Sequence, residues 1–485
     1  MAFHRSLFSH PWLPHVLAVC GFVFAVFLIA RLFADKKQPG NTVAWLLVMV
    51  LIPYVGVPLY LVFGGRKLRR LMARKSRLVL VHGGLDAVRV PPSVSPVINT
   101  ASALGASPPV GGNALRLITT GEEAFALMAE HIRLARHSIH ITTFILGRDE
   151  TGRRLVELLA ERARAGVKVR LLLDAVGCVF SSRGFVAPLR RAGGEVQRFM
   201  PVLSFVPRSS ANLRNHRKIA VFDRRTAIVG GHNLADEYMG PLYNKKRWSD
   251  FGAVIAGPAA VLLNEVFLAD WAFASGRPLD VLHGEEAGAG VAEGVAGVEC
   301  VEGESALQVV ASGPDTRGDP LYEGLIAMIQ DARESIYIIT PYFIPDEVLW
   351  RSLMVKARAG VKVVLVLPER SNHPITDYAR RFYTRELRGA GARVMHYGAG
   401  MLHSKAVIVD ERAGLIGSAN FDLRSLLVNF EIGVFVYTRA DVRKMGAWVA
   451  TLLASSTELK GERPQRFPFF SGLLEDLCRL LAPLL

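Results

Sequence analysis

Two histidines, two lysines and two asparagines recur at matched spacing along this chain. The stretch NHRKIAVFDRRTAIVGGHN sets His216, Lys218 and Asp223 as H-x-K-x4-D, followed by Gly230-Gly231-x-Asn233. The stretch from Met401 to Glu431 repeats the layout with His403, Lys405, Asp410, Gly417-Ser418 and Asn420, each 187 residues further on. A lone H-x-K on an apolar strand is usually incidental. Two copies, each with its Asp and its Gly-x-x-Asn at the same distances, are evidence of an internal duplication. Side chains alternate along a strand, so each His shares a face with its Lys, while Asp223 and Asp410 have the opposite parity.

A neutral imidazole nitrogen beside a fixed ammonium suits a phosphate diester, whose developing charge the lysine stabilises. Two such sets around one phosphorus let one histidine attack while the other protonates the departing oxygen. Asn233 and Asn420 add neutral donors for the non-bridging oxygens. Asp223 and Asp410 are grouped with the catalytic residues, although an aspartate so placed more often has a structural role. A metal centre fits poorly: lysine is not a usual ligand, and no His/Cys/carboxylate cluster has ligand spacing. Neither a metal nor another cofactor is expected.

The elements that must position these residues are also duplicated. Ser138-IHITTFIL echoes Ser335-IYIITPYF at an offset of 197, and Arg164-AGVKV recurs at Arg358, 194 residues later. Offsets drifting from 197 to 187 are what small loop changes between two copies of one domain leave. Apolar periodicity predicts, in the first copy, a strand over 115–119, a helix over 122–136 and a strand over 138–146. A helix over 151–164 and a strand over 167–173 follow, with a further helix over 259–274. The second copy repeats this with strand 307–311, helix 321–331, strand 336–342, helix 347–359 and strand 361–367. Residues 377–389 and a strand over 393–397 then lead to the second motif. The expected organisation is 1–77 as a membrane anchor, 78–112 as a Pro/Ser/Gly-rich linker with room for one short structured piece, and 113–275 as the first domain. An exposed connection over 276–304 and a second domain over 305–485 complete it. The second domain ends in an amphipathic helix with Leu473, Leu474, Leu477, Leu480, Leu481 and Leu484 on one face. That helix packs on the core or lies in a membrane interface.

The composition is 51% hydrophobic with a mean hydropathy of +0.27, high for a soluble protein. Val16–Ala30 is an unbroken apolar run. It is read as a first span rather than a signal peptide, because Ala34 beside bulky Phe33 makes a poor cleavage site and a second run follows at once. Val43 to Phe63 gives 21 residues without a charge, enough for a bilayer core of about 30 Å at ~1.5 Å per residue. The formal charge is +15, and residues 1–77 hold eleven Lys/Arg against one acid, which is +10 of it. Charge gathered beside apolar runs favours an anionic membrane surface over a nucleic-acid groove. The basic cluster Arg66–Arg77 places both ends of the hairpin, and the large C-terminal part, in the cytoplasm. Four scattered cysteines agree with a reducing compartment.

The paired H-x-K-x4-D with G-G/S-x-N resembles the phospholipase D superfamily over roughly residues 110–460. The finer pattern is similar to the bacterial cardiolipin synthases. Its matching stretches are AWLLVMVLIPYVGVPLYLVFGG, NHRKIAVFD…GGHNLADEY…WSD, ITPYFIPDE and GMLHSKAVIVD…GSANFDLRS…NFE, with a weaker match at LLAPLL. ITTFIL replaces a more tyrosine-rich strand and His232 a common aromatic, departures that bear on head-group contacts rather than on the chemistry. The resemblance implies two similar α/β/α halves packed around one active site, preceded by two transmembrane helices in the bacterial inner membrane. It implies transfer of a phosphatidyl group between two phosphatidylglycerols, giving cardiolipin and glycerol. His216 would be the nucleophile, His403 the acid and then the base, and Asp250 and Glu431 the carboxylates that orient the two histidines. The implied partners are phosphatidylglycerol and other anionic lipids, with no nucleic acid. Hydrolysis to phosphatidic acid, phosphatidylserine synthesis from CDP-diacylglycerol, and other acceptor alcohols would use the same residues. A scaffold or nucleic-acid binder on an inactivated fold would have lost a His or Lys, and both sets are intact.

Overall fold

The computed structural model describes residues 92–181, 184–201, 213–288 and 303–461, the helix Pro39–Leu51 and scattered positions elsewhere. The chain divides into a short N-terminal unit, Met1–Arg74, and a large unit that starts at Lys75 and carries both motifs. In the N-terminal unit Met49 is buried with Trp45, Leu46 and Val57 against it. Among the described residues no helix is long and apolar enough to cross a membrane. Most of the first expected span lies outside the described residues, as does much of the second beyond Leu51. The C-terminal leucine face also lies outside them; of that tail only Glu475 and Cys478 are described, both buried.

The large unit is built on one 15-stranded sheet. The first half supplies β1 (Val110–Ile118), β2 (Ser138–Thr143), β3 (Lys168–Asp174) and β4 (Glu195–Phe199). It continues with β5 (Ile219–Phe222), β6 (Thr226–Gly230) and β7 (Gly252–Ala256). The second supplies β8 (Ser305–Ser312), β9 (Ser335–Ile339), β10 (Phe343–Ile344), β11 (Lys362–Pro368) and β12 (Arg393–Tyr397). It ends with β13 (Ala406–Val409), β14 (Ala413–Gly417), β15 (Phe421–Asp422), β16 (Glu431–Val436) and β17 (Ser456–Glu458); of these, β10 and β15 pair with each other in a separate two-stranded sheet. Read outward from the seam, the first half runs β1-β7-β6-β5-β2-β3-β4 and the second β8-β16-β14-β13-β9-β11-β12. Each strand has its counterpart at the same step, so the duplication in the sequence is a duplication in space. β1 and β8 pair antiparallel, Val110 opposite Leu307, and join the halves into one sheet.

The strands nearest the motifs, IAVF and AVIV, are buried throughout. Their unbroken apolar sequence is what a sheet covered on both faces requires. One apolar core runs across the seam, with Val221 and Ile255 of the first half sharing it with Val309, Ile408 and Val434 of the second. Phe251 stacks on Trp448 at a centroid distance of 3.8 Å. Each such side chain taken from water contributes roughly 1.5–3 kcal/mol, so the halves are held as one body. Side-chain caps open the helices that follow β2 and β10: Asp149 accepts from Gly152 N at 2.8 Å to open Glu150–Arg164, and Asp346 accepts from Val348 N and Leu349 N to open Glu347–Arg358.

The short structured piece allowed in the linker is a helix, and the exposed connection departs from its sequence reading. The linker region carries the helix Ser95–Ala103, whose Val97 and Ala101 are buried in the core of the second half. The exposed connection begins as a helix, Leu279–Gly288, in which Glu285 meets Lys168 and Arg170 at 2.5 Å each. The first is a short helix whose apolar stripe, Val94, Val97, Ile98 and Ala101, spans barely two turns, and the second docks by ion pairs, so neither offers the longer periodic run that marks a helix.

Candidate active site

β2 and β3 run parallel, as do β9 and β11. β5 starts opposite the end of β2, with Ile219 beside Thr142, and β13 starts opposite the end of β9, with Ala406 beside Ile339. His216 and Lys218, just before β5, and His403 and Lys405, just before β13, therefore sit at the carboxyl ends of the parallel strands. That is where open α/β sheets place their ligands.

The segments bearing the histidines cross the seam. His216 N donates to Phe430 O at 2.9 Å and His403 N to Ser249 O at 2.7 Å. Each histidine segment thus lies beside the carboxylate-bearing segment of the other half. The side chains follow. Nδ1 of His216 is 2.8 Å from Oε1 and 3.1 Å from Oε2 of Glu431. Nδ1 of His403 is 2.6 Å from Oδ2 of Asp250. With Nδ1–H donated to a carboxylate, Nε2 is the nitrogen left for chemistry on both rings.

The glycines of the two motifs explain themselves against these carboxylates. A Cβ on Gly231 would stand 2.0 Å from Oδ1 of Asp250, so the first motif has Gly-Gly. At the matching place in the second motif Ser418 uses its hydroxyl to donate to Oε2 of Glu431. Lys218 Nζ donates to His216 O at 2.7 Å. Lys405 Nζ donates to His403 O and lies 2.7 and 3.0 Å from the two nitrogens of the His403 ring. Oδ1 of Asn233 accepts from Ile145 N at 3.1 Å, while the buried Oδ1 of Asn420 has no partner among the described residues. Asp223 and Asp410 sit at the far ends of β5 and β13. There Asp223 accepts from the main-chain N–H groups of Arg136, His137 and Ser138, and Asp410 from those of Arg333, Glu334 and Ser335. The structure therefore brings together both histidines, both lysines, Asp250 and Glu431, and sets the two motif aspartates apart as anchors of β2 and β9.

Burial controls the charges. It pushes His403 down to about 3, with Lys405 adding to the effect against the pull of Asp250. His216 is lowered by burial too, against Glu431 and with Lys218 and Lys405. Burial brings Lys218 down to about 7, with Lys405 opposing its charge and Glu431 favouring it. Lys405 falls to about 8 by burial, against Asp250 and Glu431. Burial alone would raise Asp250 and Glu431, but Lys405 and His403 hold the first, and His216 and Lys218 the second, below the ordinary carboxylate range. The site thus has neutral imidazoles, ionised carboxylates and two lysines that give up protons readily.

Three aromatic residues close in on the histidines; they lie within the stretches ITTFIL, NLADEY and WSD, but no spacing marked them for the site. Phe144 meets His216 edge-on at 5.2 Å, and Tyr238 and Trp248 lie 5.0 and 5.4 Å from His403. Phe430, beside Glu431, lies under Arg217 at 5.4 Å. Arg217, the middle residue of the first H-x-K, points away from the site and is fully buried. It donates to Glu431 O at 3.0 Å and pairs with Asp270 at 2.7 Å. Lys75, counted in the sequence among the basic residues flanking the second apolar run, is buried in the same network, 2.5 Å from Asp270 and 2.6 Å from Asp315. Among the described residues no group of three or more His, Cys, Asp or Glu is placed to hold a metal ion.

Comparison with known proteins adds family context to this geometry. A family model described as cardiolipin synthase, PLD-like domain, matches residues 128–271 and 325–453, and one described as phospholipase D-nuclease N-terminal matches 22–65. The chain is 34% identical over 488 residues to a cardiolipin synthase of Geobacillus sp. strain WCH70, covering 97% of this chain and 93% of the relative. It is 34% identical over 477 residues to cardiolipin synthase 2 of Bacillus cereus, covering 96% and 91%. Among solved structures, a phosphatidylserine synthase of Haemophilus influenzae aligns with a TM-score of 0.60 at 17% identity. It covers 80% of this chain and all of that one, a likeness of fold.

Proposed function

Because the chain belongs to the cardiolipin synthase family, we propose that it transfers a phosphatidyl group from one phosphatidylglycerol to another, releasing glycerol and forming cardiolipin. The observation that carries this reading is the exchange of carboxylates across the seam, which gives two equivalent histidines one site and engages Nδ1 of each, so that Nε2 is the nitrogen that reacts. Nε2 of His216 attacks phosphorus, and the bond to glycerol oxygen breaks as His403 delivers a proton to it. The phosphodiester's negative charge draws the Lys405 ammonium off the ring of His403 and lets that histidine hold the proton it must give. Lys218, Lys405, Asn233 and Asn420 hold the non-bridging oxygens. In the second step neutral His403 takes the proton from the hydroxyl of the second phosphatidylglycerol. The new P–O bond forms, the P–N bond breaks and His216 is restored. One phosphodiester replaces another, so the balance needs no nucleotide and no oxidant.

The N-terminal apolar runs are read with this as a membrane hairpin. The basic residues after the second run set its orientation, with both ends and the catalytic unit on the cytoplasmic side. The test of the reaction is incubation of purified protein with isotopically labelled phosphatidylglycerol alone, followed by mass analysis. Equimolar cardiolipin and glycerol is the expected result. Phosphatidic acid as the only product would replace transfer by hydrolysis.

A further inference from the structure

The most exposed large apolar side chains among the described residues are Tyr243, Phe180 and Leu242, at 82%, 80% and 76%. Single exposed apolar residues are ordinary and need no account. All three lie on loops at the edge of the sheet where the parallel strands end and the histidines sit. Phe180 lies in the loop that leaves β3. Cys178 of the same loop donates its thiol to Phe144 O at 3.2 Å, and the Phe144 ring is the one set against His216. Leu242 and Tyr243 lie in the segment that leads to Trp248, whose ring is set against His403. Each histidine therefore has an exposed apolar loop beside it. The second half adds Ile375, in the helix Pro374–Gly389 that follows β11, and Leu427, at the end of the helix Leu423–Leu427 after the second motif. Both are also exposed. Beyond Tyr243 and Asn244 come Lys245 and Lys246, both exposed.

We propose that this rim is a bilayer-docking face, in which Phe180, Leu242 and Tyr243 enter the boundary between head groups and acyl chains while Lys245 and Lys246 meet anionic lipid phosphates. The inference rests on the reaction proposed above. A lipid with two acyl chains must bring its phosphorus to His216 without taking those chains into water, so the mouth of the site has to meet the surface that holds them. The apolar tips come from separate loops rather than from one continuous helix or strand face, which suits a fluid surface. The paired lysines beside them match an anionic one.

The test uses the full chain in vesicles of phosphatidylglycerol and phosphatidylcholine. A genetically encoded, environment-sensitive fluorescent amino acid is placed at position 180, 243 or, as a control, 355, where Val355 is exposed on the helix Glu347–Arg358. Emission at 180 and 243 should shift to the blue and be quenched by brominated acyl chains, with neither effect at 355. Absence of quenching at 180 and 243, or equal quenching at 355, overturns the proposal. So does a shift in lipid-free detergent that grows with protein concentration, which would make a second copy of the chain the occupant. In a second arm, Leu242→Asp with Tyr243→Asp should raise KM for vesicle phosphatidylglycerol about tenfold, the scale of losing one partly buried side chain. kcat/KM for a short-chain phosphatidylglycerol below its critical micelle concentration should stay the same; an equal loss on both substrates overturns docking. If the unmodified protein transfers no phosphatidyl group, the proposed reaction fails, and the quenching arm still reports whether the rim meets lipid.

Discussion

Glu431→Gln removes one charge from beside His216 and keeps a hydrogen-bond acceptor of the same shape. The carboxylate it replaces is fully buried and lies 2.8 and 3.1 Å from Nδ1 of His216. His216 becomes cationic only when phosphorus bonds to Nε2, so the carboxylate stabilises the adduct and the path to it more than the free enzyme. Opposite charges about 4 Å apart at an effective dielectric of about 20 are worth ~4 kcal/mol, close to a 10³-fold change in rate. Asp250→Asn makes the same change 2.6 Å from His403, where the charge assists proton delivery instead. A phosphatidyl ester of p-nitrophenol separates the two, because its leaving group needs no proton. In stopped-flow measurements Asp250→Asn should keep a burst of nitrophenolate and accumulate a base-stable, acid-labile adduct on intact-mass analysis. Glu431→Gln should lose the burst by about the factor above. With phosphatidylglycerol as donor both variants should be slow. The opposite pattern, a burst in Glu431→Gln and none in Asp250→Asn, would refute the reasoning: either each carboxylate serves the histidine of its own half in solution, or His403 is the nucleophile.

Four further outcomes are expected. His216→Ala and His403→Ala should each lower synthesis by several orders of magnitude, since general acid–base assistance alone is worth ~10²–10⁴; normal turnover by either, measured with labelled lipid, would sink the paired-histidine site. Because the free enzyme needs Lys218 charged and burial holds it at about 7, kcat/KM should fall as pH rises through that value, and a profile flat to pH 9 would remove Lys218 from phosphate binding. Asp410→Ala deprives three main-chain N–H groups of their acceptor at a residue with φ of 52°. It should cost roughly 1–3 kcal/mol in denaturant unfolding while leaving kcat of the folded fraction intact, and a large loss of kcat without loss of stability would make the aspartate catalytic. Exhaustive chelation should leave synthesis unchanged, and loss restored by a divalent ion would require a metal in the reaction.

The residues of the site were legible because duplication writes itself into spacing. A constant offset of 187 picked out both histidines, both lysines and both asparagines, and strand alternation put each His with its Lys. Alternation of apolar helices and strands likewise located most elements, since the periodicity that marks an element is local. The helix Leu279–Gly288 escaped because the contacts that hold it are distant and ionic.

Which carboxylate serves which histidine belongs to the tertiary structure alone. Glu431 is 215 residues from His216 and Asp250 is 153 from His403. No local pattern encodes such a pairing. It follows from the seam, where β1 meets β8 and the histidine segment of each half lies against the carboxylate segment of the other. The same closure buries the site, and that burial is what neutralises the imidazoles and brings the lysines toward neutral pH. Residue types and their order fixed the available chemistry; the dielectric around them and the partner of each ring came only when two copies of one fold were pressed together.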